Sequence, residues 1–218
     1  MQEETDLRPI KTLKSNYQTI RLYEGGDGLL VLTLDTFVQF KEGEDEQKYH
    51  ENLVDKAIDR HKDPHDFLIL GGGDGLCARN IKNKVSDAII RLVEIDRMVI
   101  DLCNIEPRIT EINKGALDRA LISIADALDW VKKDKNFYDV IILDLPDATS
   151  DTLKKLYAEE FYNDTAKLLR ENGVMSVQAH PDISNDVALK IEKIFGNSET
   201  IVYEMPWLTE GAVVIGIK

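Results

Sequence analysis

Five acidic side chains and one glycine run carry the chemistry open to this sequence. Residues 68–75 read Leu-Ile-Leu-Gly-Gly-Gly-Asp-Gly, an apolar strand running straight into Gly71, Gly72, Gly73, Asp74 and Gly75. Glycines at a strand end let the backbone approach a ligand and turn sharply into a helix. The plain alternative is a tight turn with no ligand. Asp74 inside the run argues against a pyrophosphate, which a carboxylate would repel. Glu94 stands 20 residues after Asp74 and closes the next apolar run, where an acidic side chain accepts both hydroxyls of a ribose. Asp126 follows the third run, placed either to accept from an adenine amino group or to cap the helix that begins behind it. Asp144 and Asp147 frame Asp-Leu-Pro-Asp, a loop stiffened by Pro146. Five carboxylates at one sheet edge repel one another unless a cation compensates, so the set points to a cationic ligand.

These residues gain meaning from the elements that deliver them, because ligands of a doubly wound sheet sit beyond the carboxyl ends of its strands. Short apolar runs over 67–70, 88–94, 121–124, 138–143, 174–179, 200–203 and 212–217 predict seven strands. Helices fit over 76–82, 97–103, 127–133, 158–169 and 185–195, and the rhythm predicts an α/β fold with a mainly parallel, Rossmann-like sheet. Residues 204–211 are too few for a helical crossover, so the last two strands form an antiparallel pair. Ahead of the sheet, residues 17–40 carry β-branched and aromatic runs broken at 24–28, which predicts a hairpin turning at Gly25-Gly26-Asp27-Gly28. A helix over 46–60, stopped by Asp63-Pro64, follows. The chain thus divides into an N-terminal β-hairpin domain, 1–45, and a Rossmann-like catalytic domain, 46–218.

Composition bounds the remaining possibilities. At 218 residues and 43% hydrophobic content the chain can bury one sizeable core. Lys plus Arg total 27 against 40 Asp plus Glu, a formal charge of −13 that repels phosphate backbones and anionic lipid and attracts cations. Nucleic acid is excluded as a partner on that ground, although acidity alone also serves solubility. The apolar run over 140–143 is far short of the roughly 18 residues of a membrane span, and Met1–Asp6 is polar and acidic rather than signal-like. A cytoplasmic protein with no membrane partner is expected. Cys77 and Cys103 form neither a disulfide framework nor a cluster of metal-ligand spacing, and read as buried thiols. His61 and His65 stand four apart, but Pro64 breaks the helix that would align them, so no metal is expected.

Taken together, LILGGGDG over 68–75, LVEID over 92–96, Ala125-Asp126 and YDVIILDLPD over 138–147 resemble the polyamine aminopropyltransferases, the spermidine synthases. YQTI over 17–20, LDTFVQ over 34–39 and DEQKYHE over 45–51 resemble that family's hairpin domain and gate, so the likeness spans roughly 17–217. DLPD, the following LYAEEFY and INKGAL look closest to a branch whose other members often carry membrane segments. The resemblance implies aminopropyl transfer from decarboxylated S-adenosylmethionine, a co-substrate, to a small polyamine such as putrescine, releasing 5′-methylthioadenosine, with no permanently bound cofactor. By position, Asp144 would orient and deprotonate the attacking amine, with Asp147 and Tyr49 holding the acceptor. Asp74 would meet the donor's ammonium, Glu94 its ribose and Asp126 its adenine, beside Gly71 and Gly73. Gln18 would line the donor side, and Gln39 the acceptor side with His50 beside Tyr49. Pairing through the hairpin domain would make a homodimer.

Three departures accompany the likeness. Ala148 replaces the family's proline after the second Asp, so the loop over 149–155 is expected to close differently. Near the carboxyl end, Met205-Pro206-Trp207-Leu208 stands where the family places a tyrosine, and Trp207 would supply its packing without its hydroxyl. The spacer over 42–48 is one residue longer than the commoner pattern. Two other readings use the same motifs: an N-methyltransferase acting with S-adenosylmethionine itself, which Asp74 disfavours beside the donor's carboxylate, and a non-catalytic adenosine- or polyamine-binding domain.

Overall fold

Alternating apolar and polar residues build a small antiparallel sheet at the amino end of the computed structural model, which describes residues 7–148 and 150–218. Strands β1 (Arg8–Lys14), β2 (Thr19–Glu24), β3 (Leu30–Leu34) and β4 (Phe37–Lys41) lie in sequence order. The turn at Gly25–Gly28 is closed by Gly28 N–H donating to the Gly25 carbonyl and Gly25 N–H to that of Leu29. Strand β1 lies outside the expected hairpin; its sequence RPIKTLK is polar and mostly exposed, so no apolar run marks it. Ile20, Leu22, Leu30 and Leu32 turn inward and join the main core.

The expected helix starts and stops early. Helix α1 (Glu44–His50) passes through one π-helical stretch, Glu51–Asp55, into α2 (Lys56–Ile58). The π stretch widens the hydrogen-bond ring and frees carbonyls, and the Leu53 carbonyl accepts 2.7 Å from the buried Ser176 hydroxyl.

The second sheet holds the remaining strands in the order β10-β11-β9-β8-β5-β6-β7, with β5 (Asp66–Gly71), β6 (Ile89–Glu94), β7 (Leu121–Ile124), β8 (Tyr138–Asp144), β9 (Leu169–Ala179), β10 (Glu199–Met205) and β11 (Thr209–Ile217). The five strands from β5 to β9 pair in parallel, and β11 pairs antiparallel with both β9 and β10, as the short 204–211 connection predicts. Helices α3 (Leu76–Lys84), α4 (Arg97–Ile105), α5 (Pro107–Asn113), α6 (Ala127–Lys133), α7 (Glu159–Ala166) and α8 (Pro181–Phe195) cover its faces. The helix expected over 158–169 ends at Ala166, because Leu169 is drawn into β9 opposite Tyr138. Along β5, Phe67 and Ile69 enter one buried cluster while Leu68 and Leu70 enter the other. That alternation puts apolar contacts on both faces, as a central parallel strand requires.

From β5 the chain moves to β6 and β7 on one side, then returns to β8 and β9 on the other. The reversal opens a crevice between β5 and β8, where register sets Gly71 directly opposite Asp144.

Candidate active site

A cavity of about 800 Å³ occupies that crevice, walled by the first sheet on one side and the carboxyl ends of β5, β6 and β8 on the other. Gly71 sits at φ +86, and a Cβ there would overlap the Asp144 carbonyl oxygen, so only glycine lets β5 and β8 run this close. A Cβ on Gly73 would stand 2.9 Å from Glu94 Oε2, so the bare backbone leaves that carboxylate room at the cavity wall.

Asp144 is held from two sides. Tyr49, on α1, donates its hydroxyl to Oδ1 at 2.5 Å, and the Cys77 thiol at the start of α3 lies 3.3 Å from Oδ2. Burial, together with the Asp144 charge, raises the Tyr49 phenol well above its ordinary range, so it acts here as a hydrogen-bond donor. Next to it, His50 is 1% exposed, with Nδ1 2.6 Å from the Glu46 carbonyl and Nε2 without a partner among the described residues. Burial opposes a proton on His50, but Glu46, Asp74 and Asp144 outweigh it and raise its pKa.

Asp74 is also buried, its Oδ1 accepting from Leu76 N–H at 2.8 Å and its carbonyl from Asn113 at 2.9 Å. Desolvation, with the Asp144 charge adding to it against a favourable His50, lifts it to about 6. Glu94 is lifted to about 7, chiefly by burial and despite the Asp96 N–H bonded to Oε1 at 2.8 Å. Asp126 caps α6 by accepting from Leu128 N–H, so the cap reading holds, and the residue also stands at the cavity wall. Asp147 accepts from Gln178 Nε2 at 3.1 Å, and Gln178 Oε1 in turn accepts from the Tyr157 hydroxyl at 2.9 Å. Gln39 lines the wall given by β4, and Gln18 lines it while donating to Asp96 Oδ2 at 3.0 Å.

Trp207 departs from expectation. It does not line the cavity; its N–H, with that of Leu208, donates to Asp45, and Lys41 stands over its ring, 5.9 Å from the centroid. The aromatic hydroxyl on that wall belongs to Tyr203 on β10, a half-buried residue whose hydroxyl is itself buried, without a hydrogen-bond partner among the described residues, and raised in pKa by burial and then by Asp144. Sequence reasoning passed over Tyr203, Gln178 and Tyr157; for Tyr203 the signal was its place in the alternation with Ile201, two residues back on the core side. Of the loop over 149–155, Thr149 lies outside the described residues, as does the segment Met1–Asp6, while Leu153–Tyr157 forms a 3₁₀ turn that brings Leu153 and Leu156 to the cavity.

A family model, the spermine/spermidine synthase domain, matches residues 46–218. The chain belongs to this family. The polyamine aminopropyltransferase of Oceanobacillus iheyensis is 34% identical over 200 residues, covering 88% of this chain and 39% of that protein. The enzyme of the same name from Pyrobaculum calidifontis is 38% identical over 172 residues, covering 76% of this chain and 58% of its own. The chain thus spans about half the length of the curated relatives it matches. Among solved structures, a spermidine synthase in complex with the transition state analogue AdoDATO superposes with a TM-score of 0.86 at 30% identity, covering 97% of this chain and 74% of that one. Spermidine synthase from Thermotoga maritima gives 0.82 at 29%, covering 97% and 72%. The two-sheet architecture is therefore that of the family, and no helix among the described residues is long and apolar enough to cross a membrane.

Proposed function

We propose that this chain transfers an aminopropyl group from decarboxylated S-adenosylmethionine to a small polyamine such as putrescine, releasing 5′-methylthioadenosine. The observation that carries the reading is the charge of the cavity. Among the described residues its wall includes nine carboxylates and one lysine, Lys41, which is itself paired with Asp27 at 2.8 Å. Such a wall favours a ligand with several ammonium groups and opposes an anionic one.

In this reading the donor lies across the ends of β5, β6 and β7, its ribose on Glu94, its adenine by Asp126 and its ammonium towards Asp74. Its sulfonium makes the adjoining methylene electrophilic. The acceptor, anchored by Asp147 and Gln39, presents its amine to Asp144, which Tyr49 orients. A primary amine, with a pKa near about 10, is nearly all protonated at neutral pH, so the carboxylate that attracts the cation also takes its proton as attack begins. The amine lone pair forms the new C–N bond, the C–S bond breaks, its electron pair returns to sulfur, and a neutral thioether leaves. Alignment supplies most of the acceleration. Tyr203 supports the acceptor side, because its hydroxyl has no partner among the described residues there. Pairing of two copies through the first sheet is consistent with exposed Ile10 and Phe37 on it, and two free buried thiols suit the reducing cytoplasm.

The test is a turnover assay with each donor against a panel of diamines and triamines, products read by mass. Wild type should bind decarboxylated S-adenosylmethionine more than about a hundredfold tighter than S-adenosylmethionine, because the latter brings an unpaired carboxylate against Asp74. Asp74→Asn should shrink that preference. Equal affinity for both donors, or methyl transfer at a comparable rate, would replace this reading with an amine methyltransferase.

A further inference from the structure

His50, Cys77 and Asp144 come from α1, α3 and the end of β8, far apart in sequence, yet a ring nitrogen, Sγ and a carboxylate oxygen of the three lie within 4.8 Å of one another. Cys77 Sγ and Asp144 Oδ2 are 3.3 Å apart, close to the roughly 3.5 Å between two ligands of a tetrahedral zinc ion with bonds of about 2.0–2.3 Å. The imidazole is already turned for ligation. Its Nδ1 donates to the Glu46 carbonyl at 2.6 Å, which directs the Nε2 lone pair elsewhere, and Nε2 is buried with no partner among the described residues. An unmet buried polar atom is unfavourable because it has lost its water without gaining a partner, and a metal ion relieves that cost.

The outer support of a ligating site is present as well. A metal-bound histidine typically donates its second nitrogen to a carbonyl or carboxylate, and metal-bound carboxylates are themselves hydrogen-bonded. Glu46 serves His50 in this way, and Tyr49 serves Asp144. One thiolate, one imidazole and one carboxylate make a mixed set that suits zinc and not magnesium or calcium, which take oxygen ligands. Thiolate and carboxylate together balance the charge of a dication, and the nearby Asp74 adds to the attraction.

We propose that His50, Cys77 and Asp144 form a zinc-capture site inside the cavity, with the fourth tetrahedral position facing the cavity, and that zinc there shuts the site down. On binding, the Cys77 thiol proton and any proton on His50 Nε2 are released to solvent, and the thiolate and the freed Nε2 lone pair take coordination positions. Asp144 then donates to the metal and can neither attract an ammonium nor accept its proton. Inhibition rests on the role proposed above for Asp144; zinc binding does not.

The experiment titrates chelator-treated protein with Co²⁺ and then Zn²⁺, with no substrate present. One equivalent of Co²⁺ should produce a near-ultraviolet thiolate-to-metal absorption that Zn²⁺ abolishes by displacement. Cys77→Ala and His50→Gln should remove that band and weaken Zn²⁺ binding at least a hundredfold, whereas Cys103→Ala, which removes the other buried thiol, should keep the band. Absence of the band in wild type overturns the site, whether or not the variants fold, and so does unchanged Zn²⁺ affinity in Cys77→Ala. Transfer assayed in chelator and then with one equivalent of Zn²⁺ separates the two ideas. Metal binding without transfer in chelator overturns the proposed function and upholds the site, while transfer without the cobalt band does the reverse.

Discussion

Glu94 gives the sharpest quantitative test of the donor site. Burial holds its carboxyl at about 7 in the free protein, so near neutral pH it is divided between two forms that differ in what they offer a ribose. The ionised form accepts from both hydroxyls; the protonated form has lost part of that capacity. With a midpoint at about 7 the ionised fraction is about nine tenths at pH 8 and about one tenth at pH 6. The dissociation constant of 5′-methylthioadenosine, which has no group titrating in this window, should therefore rise several-fold between pH 8 and pH 6, up to about tenfold or about 1.4 kcal/mol. Calorimetry across pH 5.5–8.5 measures it. In Glu94→Gln binding at pH 8 should weaken by about 1–3 kcal/mol and the slope between pH 6 and 8 should vanish. A flat profile in wild type, or a slope that survives the substitution, would refute the assignment of Glu94 to the ribose. The same groups govern stability with the opposite sense. Glu94 and Asp74 have folded pKa values above their ordinary ones, so their contribution is complete at acid pH and is lost as pH rises through about 6 for Asp74 and about 7 for Glu94. The thermal midpoint of ligand-free protein should fall between pH 5 and 8.

Three substitutions probe the rest of the architecture. Asp144→Asn should lower turnover about a hundredfold or more while leaving 5′-methylthioadenosine affinity within about twofold; a near-normal rate in a folded variant would remove Asp144 as the base. Arg79 grips Glu46 through two contacts of 2.8 and 3.0 Å, both residues being less than a tenth exposed, so Arg79→Ala should cost about 3–5 kcal/mol by stranding a buried carboxylate. Denaturant unfolding reads it, and a loss below about 1 kcal/mol would mean that water solvates the pair. Gly71→Ala should cost about 2 kcal/mol or more by the same measurement, since it combines a positive φ with overlap on the Asp144 carbonyl.

Much of this was legible because it depends on local pattern. The strands carrying Asp74, Glu94, Asp126 and Asp144 are short apolar runs with definite ends, and a parallel sheet obliges residues after those ends to converge. What depends on distant partners was not legible. Strand β1 is polar and gains its hydrogen bonds only by lying beside β2. Helix α5 hides in PRITEIN, whose Asn113 is fully buried because it bonds to the Asp74 and Cys103 carbonyls. The nearness of Cys77 to Asp144 follows from the register of β5 against β8, and no spacing between positions 50, 77 and 144 encodes it. Trp207 was expected at the cavity on the strength of ring packing, but Asp45 captures its backbone and Tyr203 is the residue of that region that lines the wall.

The π-helical stretch at Glu51–Asp55 sets a limit on how this chain can change length. Each residue of an α-helix turns it by about 100° and of a wider π ring somewhat less, so one deletion or insertion between Tyr49 and the buried Leu53 and Val54 would swing Tyr49 and His50 away from Asp144 while the core side stayed anchored, in part by the Ser176 bond to the Leu53 carbonyl. Exposed Glu51 can accept many side chains, since its own faces solvent. The number of residues in the stretch cannot vary so freely. A library of single-residue deletions should therefore be tolerated in the turn at Gly25–Gly28 and rejected here, and within the family this segment should diverge in letters long before it diverges in length.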